Sequence, residues 1–108
     1  MNKLDLVKAL LSEDSAEETR LDGGSKFKIV ILQRGWVFVG KFSQEGSKCT
    51  LTDANNIRTW GTTKGLGELA ESGPTGSTKL DKVNDVTFHA LTSVAIIDCN
   101  DTVWKKVA

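Results

Sequence analysis

FKIVILQRGWVFVGKF, residues 27–42, sets two runs of β-branched and aromatic side chains around Arg34-Gly35. Such residues suit a pleated, half-buried strand, and a short break with glycine between two of these runs signals a hairpin. In the second run Trp36, Phe38 and Phe42 alternate with Val37, Val39 and Lys41, and Gly40 falls on the aromatic face. A glycine inside a strand predicts a bend, a bulge or a close backbone approach, the devices that curve small sheets.

Downstream, QEGS at 44–47 reads as the next turn, and KCTLT at 48–52 as a third strand with Cys49 and Leu51 on one face. DVTFHALTSVAIIDC at 85–99 fits one long bent strand or two short ones. Asn100-Asp101 is a turn signal, and TVWKKV at 102–107 reads as a closing strand. Between these sets lies GTTKGLGELAESG, residues 61–73. There Thr62 or Thr63 is placed to cap a short helix, Leu66, Leu69 and Ala70 share one face, and Gly73-Pro74 ends it. The predicted fold is mainly β: a small antiparallel β-barrel or rolled sheet of five to six strands, SH3-like or OB-like in size, with one short inserted helix. Phe27, Phe38 and Phe88 are assigned to its packing.

Upstream of Phe27 the composition changes. Leu4, Val7, Leu10 and Leu11 have helical spacing, which predicts a short amphipathic helix too short to persist alone. Residues 1–25 therefore read as an acidic N-terminal arm with a helix and a linker ending in Gly23-Gly24-Ser25, and residues 26–108 as a single β-rich domain. Residues 1–24 carry six acids against three bases and the remainder eleven bases against eight acids, so an arm at −3 precedes a body at +3. The arm is a candidate for self-association through Leu4, Val7, Leu10 and Leu11.

The whole chain balances 14 Lys and Arg against 14 Asp and Glu, so net charge gives no reason to expect an anionic partner. Cys49 and Cys99 have no CxxC or Cys/His metal spacing. They read as buried thiols of an intracellular protein, with a bridge between adjacent strands left open. No apolar run approaches the roughly 20 residues that span a bilayer, and the N-terminus lacks a signal-peptide pattern. A soluble protein is expected, without membrane partners, cofactors or metal.

The glycine-rich stretch WGTTKGLGELAESGPTGSTK at 60–79 invites comparison with a phosphate loop. That motif requires Gly, four residues, then Gly-Lys-Ser/Thr opening a helix. Read from Gly73, Thr78 stands at the second glycine, Leu80 stands at the hydroxyl, and a turn and a strand follow. Nucleotide hydrolysis is excluded on order alone. His89 is the only histidine and lies in a strand, so any Cys–His or Ser–His nucleophile would have to use it. Asp98 and Asp101 flank Cys99 at a strand end, where Asp ordinarily makes local backbone bonds. No enzyme is expected.

DANNIRTWGTTKGLGELAESG, with the preceding GWVFVGKFSQEGSKCTLT, resembles a family of small proteins of tailed phages and prophages known only as a domain of unknown function. The resemblance spans roughly residues 35–99. Gly40-Lys41-Phe42, Cys49 to Ala54, Ile57, Trp60, Leu66, Leu69-Ala70 and Gly73 stand in the family's places. Asn55-Asn56, Thr59 and the Pro74–Gly76 loop depart from it. The resemblance implies a phage origin, a small β fold and a site in the host cell cytoplasm or the virion, and it brings no catalytic residues. The leading expectation is a non-enzymatic binding or assembly module acting through protein contacts or self-association. The alternative is a small β-barrel that binds single-stranded nucleic acid or an anionic ligand. Its surface would comprise Arg34, Trp36, Arg58, Trp60 and Lys64, aromatic and basic side chains of the kind that stack bases and meet phosphates.

Overall fold

The computed structural model describes residues 24–107, so the predicted N-terminal helix with Leu4, Val7, Leu10 and Leu11 lies outside the described residues. Six strands form one antiparallel sheet: β1 (Phe27–Leu32), β2 (Val37–Glu45), β3 (Lys48–Thr59), β4 (Lys79–Lys82), β5 (Val86–His89) and β6 (Ser93–Asp98). Helix α1 (Leu66–Ser72) lies between β3 and β4, and α2 (Asp101–Trp104) follows β6. The sheet order is β4-β3-β2-β1-β6, and β5 pairs with the first half of β3 while β4 pairs with its second half. The architecture is the small, mainly β, antiparallel rolled sheet expected from the hairpin pattern, with its short inserted helix.

Strand β3 runs seven residues past the KCTLT segment because Asp53 is an irregularity within it. Its φ of 50° sits in the left-handed region, and the β2–β3 register slips there, from Lys41 opposite Thr52 to Val39 opposite Asn55. The extra residue bends the strand, and Gly40 faces the bend. A Cβ on Gly40 would lie 2.8 Å from the Thr52 carbonyl oxygen and 3.2 Å from the Ala54 Cα. The glycine on the aromatic face thus marks a close backbone approach.

Alternation gives the sheet two apolar faces. On one, Phe27, Ile29, Val37, Val39 and Ile57 meet Leu66, Leu69 and Ala70 of α1 and Trp104 of α2. On the other, Val30, Leu51 and Ala54 are buried among the partly buried Leu32, Phe38, Phe42, Val83, Val86, Phe88 and Ile96. Lys28 shares that second face at 2% exposure, and its ammonium pairs with Asp98, its register partner on β6.

Three sequence expectations are corrected. TVWKKV is not a closing strand: Asn100 caps a helix by accepting the Thr102 N–H at 3.1 Å, and α2 drives Trp104 to 1% exposure. Its indole Nε1 donates to the Leu69 and Ala70 carbonyls at 3.2 and 3.0 Å, a second donor beside the Gly73 and Asn100 N–H groups that those carbonyls also accept. Neither Thr62 nor Thr63 is the N-cap of α1. Gly65 at φ 81° takes that place, and Thr62 Oγ1 instead donates to the Gly65 carbonyl at 2.6 Å. The segment after Lys79 holds β4 as well as β5, because the polar KLDK pairs along the edge of β3 beyond the bulge. The 85–99 segment resolves into two short strands joined by the 3₁₀ turn Ala90–Thr92. Both cysteines are buried, and no disulfide joins them.

Candidate nucleic-acid interface

The five surface residues singled out in the sequence gather at one end of the sheet: the β1–β2 turn, the end of β3 and the entry to α1. Gln33, Arg34 and Gly35 make a three-residue turn closed by Leu32 N–H donating to the Trp36 carbonyl at 2.7 Å. Arg34 and Gly35 have φ of 68° and 81°. Glycine adopts that region freely, whereas a non-glycine residue there carries a cost of about 1–3 kcal/mol. The guanidinium at this tip is exposed and has no hydrogen-bond or ion-pair partner among the described residues.

Trp36 follows at 55% exposure, its ring parallel to Phe38 within 7° and the centroids 6.2 Å apart. Phe38 packs into the second apolar cluster and so anchors the indole in an offset stack. Phe38 is paired with Asn56, and extending that register by two positions sets Trp36 opposite Arg58. Trp36, Phe38, Asn56 and Arg58 therefore share the face turned away from α1.

Arg58 is not a free cation. Its Nε and Nη2 meet Asp81 Oδ2 and Oδ1 at 2.9 and 3.2 Å, a bidentate pair across the β3–β4 ladder. The hydrogen bond to Asp81, and then its charge, raise the Arg58 pKa further. The pair holds the guanidinium plane along the strand edge and leaves it 63% exposed, so it offers a flat surface more than net charge.

Trp60, at 45% exposure, leaves β3 into a loop that two threonines stitch down. Thr78 Oγ1 donates to the Trp60 carbonyl at 2.7 Å and Thr75 Oγ1 to that of Gly61 at 2.6 Å. Gly61 has φ 70° and sits so close to the Ser77–Thr78 peptide that a Cβ would fall 2.4 Å from it. Gly61 is thus used for loop packing, while Gly65 and Gly73 bound α1. Lys64 extends from the same loop, exposed, while its backbone N–H donates to Glu68 Oε1 at 2.9 Å. That carboxylate occupies the start of α1.

The remaining chemical candidates have structural partners. His89 Nδ1 accepts the Leu91 N–H at 3.0 Å and caps the 3₁₀ turn. Burial, then the charges of Asp101 and Asp98, push the Cys99 thiol up to about 12, so it is protonated at neutral pH. Asp101 accepts from the Lys26 and Phe27 N–H groups, and those bonds hold its carboxyl below the usual range. Among the described residues no group of three or more His, Cys, Asp or Glu is placed to hold a metal, and no helix is long and apolar enough to cross a membrane.

Residue type alone does not separate Trp36 from Trp60 in exposure. The structure places Trp36 ahead of it, and the i, i+2 spacing of Trp36 and Phe38 was the available signal for a stacked pair.

No curated protein matches this sequence. Among solved structures, the chain is similar to a heptameric archaeal Sm protein, with 15% identity, a TM-score of 0.47, and coverage of 84% of this chain and 98% of that one. It is similar too to the Pyrococcus abyssii Sm protein in complex with a uridine heptamer, with 17% identity, a TM-score of 0.40, and coverage of 90% and 97%. The family described as a domain of unknown function, DUF6948, matches residues 28–107, and the chain belongs to that family.

Proposed function

We propose that the chain is a non-enzymatic binding module that takes single-stranded nucleic acid, or a comparable anionic chain, across the end of the sheet that carries Trp36. The observation that carries this reading is the Trp36–Phe38 stack, a half-exposed indole held parallel to a buried-side ring. A preset aromatic face accepts a base without first ordering itself, and such stacking is worth about 1–3 kcal/mol per base. Arg34 at the turn tip and Lys64 at the entry to α1 supply charge for phosphates on either side, and Trp60 supplies a second ring. Fluorescence anisotropy of a labelled short single strand with the full chain at low salt tests the reading. Trp36→Ala is expected to weaken binding about fivefold to 150-fold, and binding should fall with added salt. Absence of binding at low salt, or a Trp36→Ala protein that binds like the parent, overturns it.

A second reading, assembly through protein contacts, is favoured by a different observation. Leu91 and Val94 are 71% and 66% exposed at the start of β6, and the outer edge of β6 pairs with no strand among the described residues. That edge, SVAIID, carries neither the proline nor the lysine that commonly blocks edge pairing. Light scattering on the full chain over a range of concentrations tests this. An oligomer that Val94→Lys dissociates supports assembly, and a monomer throughout rejects it. The setting proposed for either role is a phage one, in the virion or the infected cell's cytoplasm, on the strength of the sequence resemblance. Mass spectrometry of purified particles distinguishes the two compartments.

A further inference from the structure

A second basic feature lies at the far end of the β1–β2 ladder, which runs from Ile31 opposite Val37 to Phe27 opposite Lys41. Here a cleft of about 420 Å3 is lined by Lys26, Phe27, Lys41, Asp101, Thr102 and Lys105. Three ammonium groups reach it from three places: the residue before β1, the middle of β2 and the residue after α2. Phe27, 4% exposed, forms an apolar floor, and an apolar wall sharpens the field of charges beside it.

The one acid in the cleft is already committed. Both oxygens of Asp101 accept from the Lys26 N–H, at 3.1 and 3.0 Å, and Oδ1 also accepts from the Phe27 N–H at 2.9 Å. Lys41 shares its ammonium with Asp53 at 3.2 Å while standing 6.0 Å from the Phe27 ring centre. The Lys26 ammonium feels the charge of Asp101, while the Lys105 side chain and the Thr102 hydroxyl have no hydrogen-bond or ion-pair partner among the described residues. Like charges converging on one cleft repel, and an anion placed among them relieves the repulsion. The cations are lysines, compact point charges without the planar fork that arginine offers a carboxylate, so charge density on the anion governs affinity.

We infer that this cleft binds a compact, multiply charged phosphate group of the diphosphate class, held by Lys26, Lys41 and Lys105 with the Thr102 hydroxyl. The site is separate from the Trp36 surface. It stands at the opposite end of the hairpin, and Phe27 belongs to the helix-covered face whereas Trp36 belongs to the other. Its occupation does not depend on nucleic-acid binding at that surface.

The test is amide NMR of the full chain at low salt, titrated in turn with pyrophosphate, a nucleoside diphosphate and a short single strand. Pyrophosphate should shift the amides of Lys26, Phe27, Thr102 and Lys105 saturably. Lys105→Gln should weaken it about fivefold, the scale of one exposed charge contact. Lys105→Arg should restore most of the loss, and Lys48→Gln, at the start of β3 and outside the cleft lining, should change nothing. Equal affinity for pyrophosphate and the nucleoside diphosphate identifies a free diphosphate as the source, and a tighter nucleoside diphosphate identifies a nucleotide tail. The inference is overturned by a pyrophosphate titration without saturable shifts, by equal effects of Lys48→Gln and Lys105→Gln, or by shifts at these amides from the single strand alone.

Discussion

Replacing Gly40 and Gly67 by alanine should move stability in opposite directions. At Gly40 the new methyl would stand 2.8 Å from the Thr52 carbonyl oxygen and 3.2 Å from both the Ala54 Cα and the Leu51 Cβ. The first distance is roughly half an ångström inside ordinary contact, and the atom in the way is backbone that cannot rotate aside. Strands β2 and β3 must separate at the bulge, a cost of about 1–3 kcal/mol for an overpacked site. Restricting the unfolded chain returns about 0.4–1 kcal/mol, which leaves a net loss of about 1–2 kcal/mol. For a domain of this size that lowers Tm by roughly 5–15 °C. At Gly67, inside α1, a Cβ meets nothing within 4 Å and the backbone is helical. The same substitution should there stabilise by about 0.5–1 kcal/mol. Urea unfolding followed by tryptophan fluorescence reads both, since Trp104 is buried against α1. A Gly40→Ala protein as stable as the parent, or a Gly67→Ala protein that is less stable, refutes the account of the bulge.

Asp98→Ala leaves the buried Lys28 ammonium without its β6 partner and should cost about 1–3 kcal/mol in urea unfolding; Lys28→Met in the same background should recover part of it. Because the Cys99 pKa is raised from 9.0 to about 12, its contribution is complete below pH 9.0 and is lost as pH rises toward 12. Thermal melts across that window should decline with pH, and Cys99→Ala should flatten the decline. The Asp101 pKa is lowered from 3.8, so its contribution is present above that value and is lost as pH falls through the folded-state value. Asp101→Asn should cost about 1 kcal/mol at neutral pH and remove that part of the acid sensitivity, seen by comparing melts at pH 3 and pH 7.

The strands with clear alternation were legible in the sequence because period-two burial and Gly-containing turns are local signals. FKIVIL and VFVGKF carry both, and Leu66, Leu69 and Ala70 carry the helical counterpart. TVWKKV misled for a nonlocal reason: its β-branched and aromatic residues suit a strand, but Asn100 offers a cap and the Leu69 and Ala70 carbonyls of α1 accept the Trp104 indole N–H. The polar β4 has no apolar signature of its own, since its place is set by the edge of β3. Of the candidate surface, Arg34, Trp36, Trp60 and Lys64 are exposed. The neutralisation of Arg58 depends on Asp81, 23 residues away, and no local pattern announces it.

The junction of β1 with β6 has a consequence for how the chain could be cut. Cys99 N–H donates to the Phe27 carbonyl at 3.0 Å, Asp101 holds the Lys26 and Phe27 amides, and Ser25 Oγ accepts from Cys99. The two ends of the body are thus seamed together, and pairing Lys28 with Asp98 closes a loop of 70 residues. Closing so long a loop costs about 4 kcal/mol of chain entropy. A circular permutant that bridges the seam covalently and opens the exposed β2–β3 turn at Gly46 would make the seam local and the central hairpin distant. Its folding rate, set against that of the parent, reports which of the two junctions forms first.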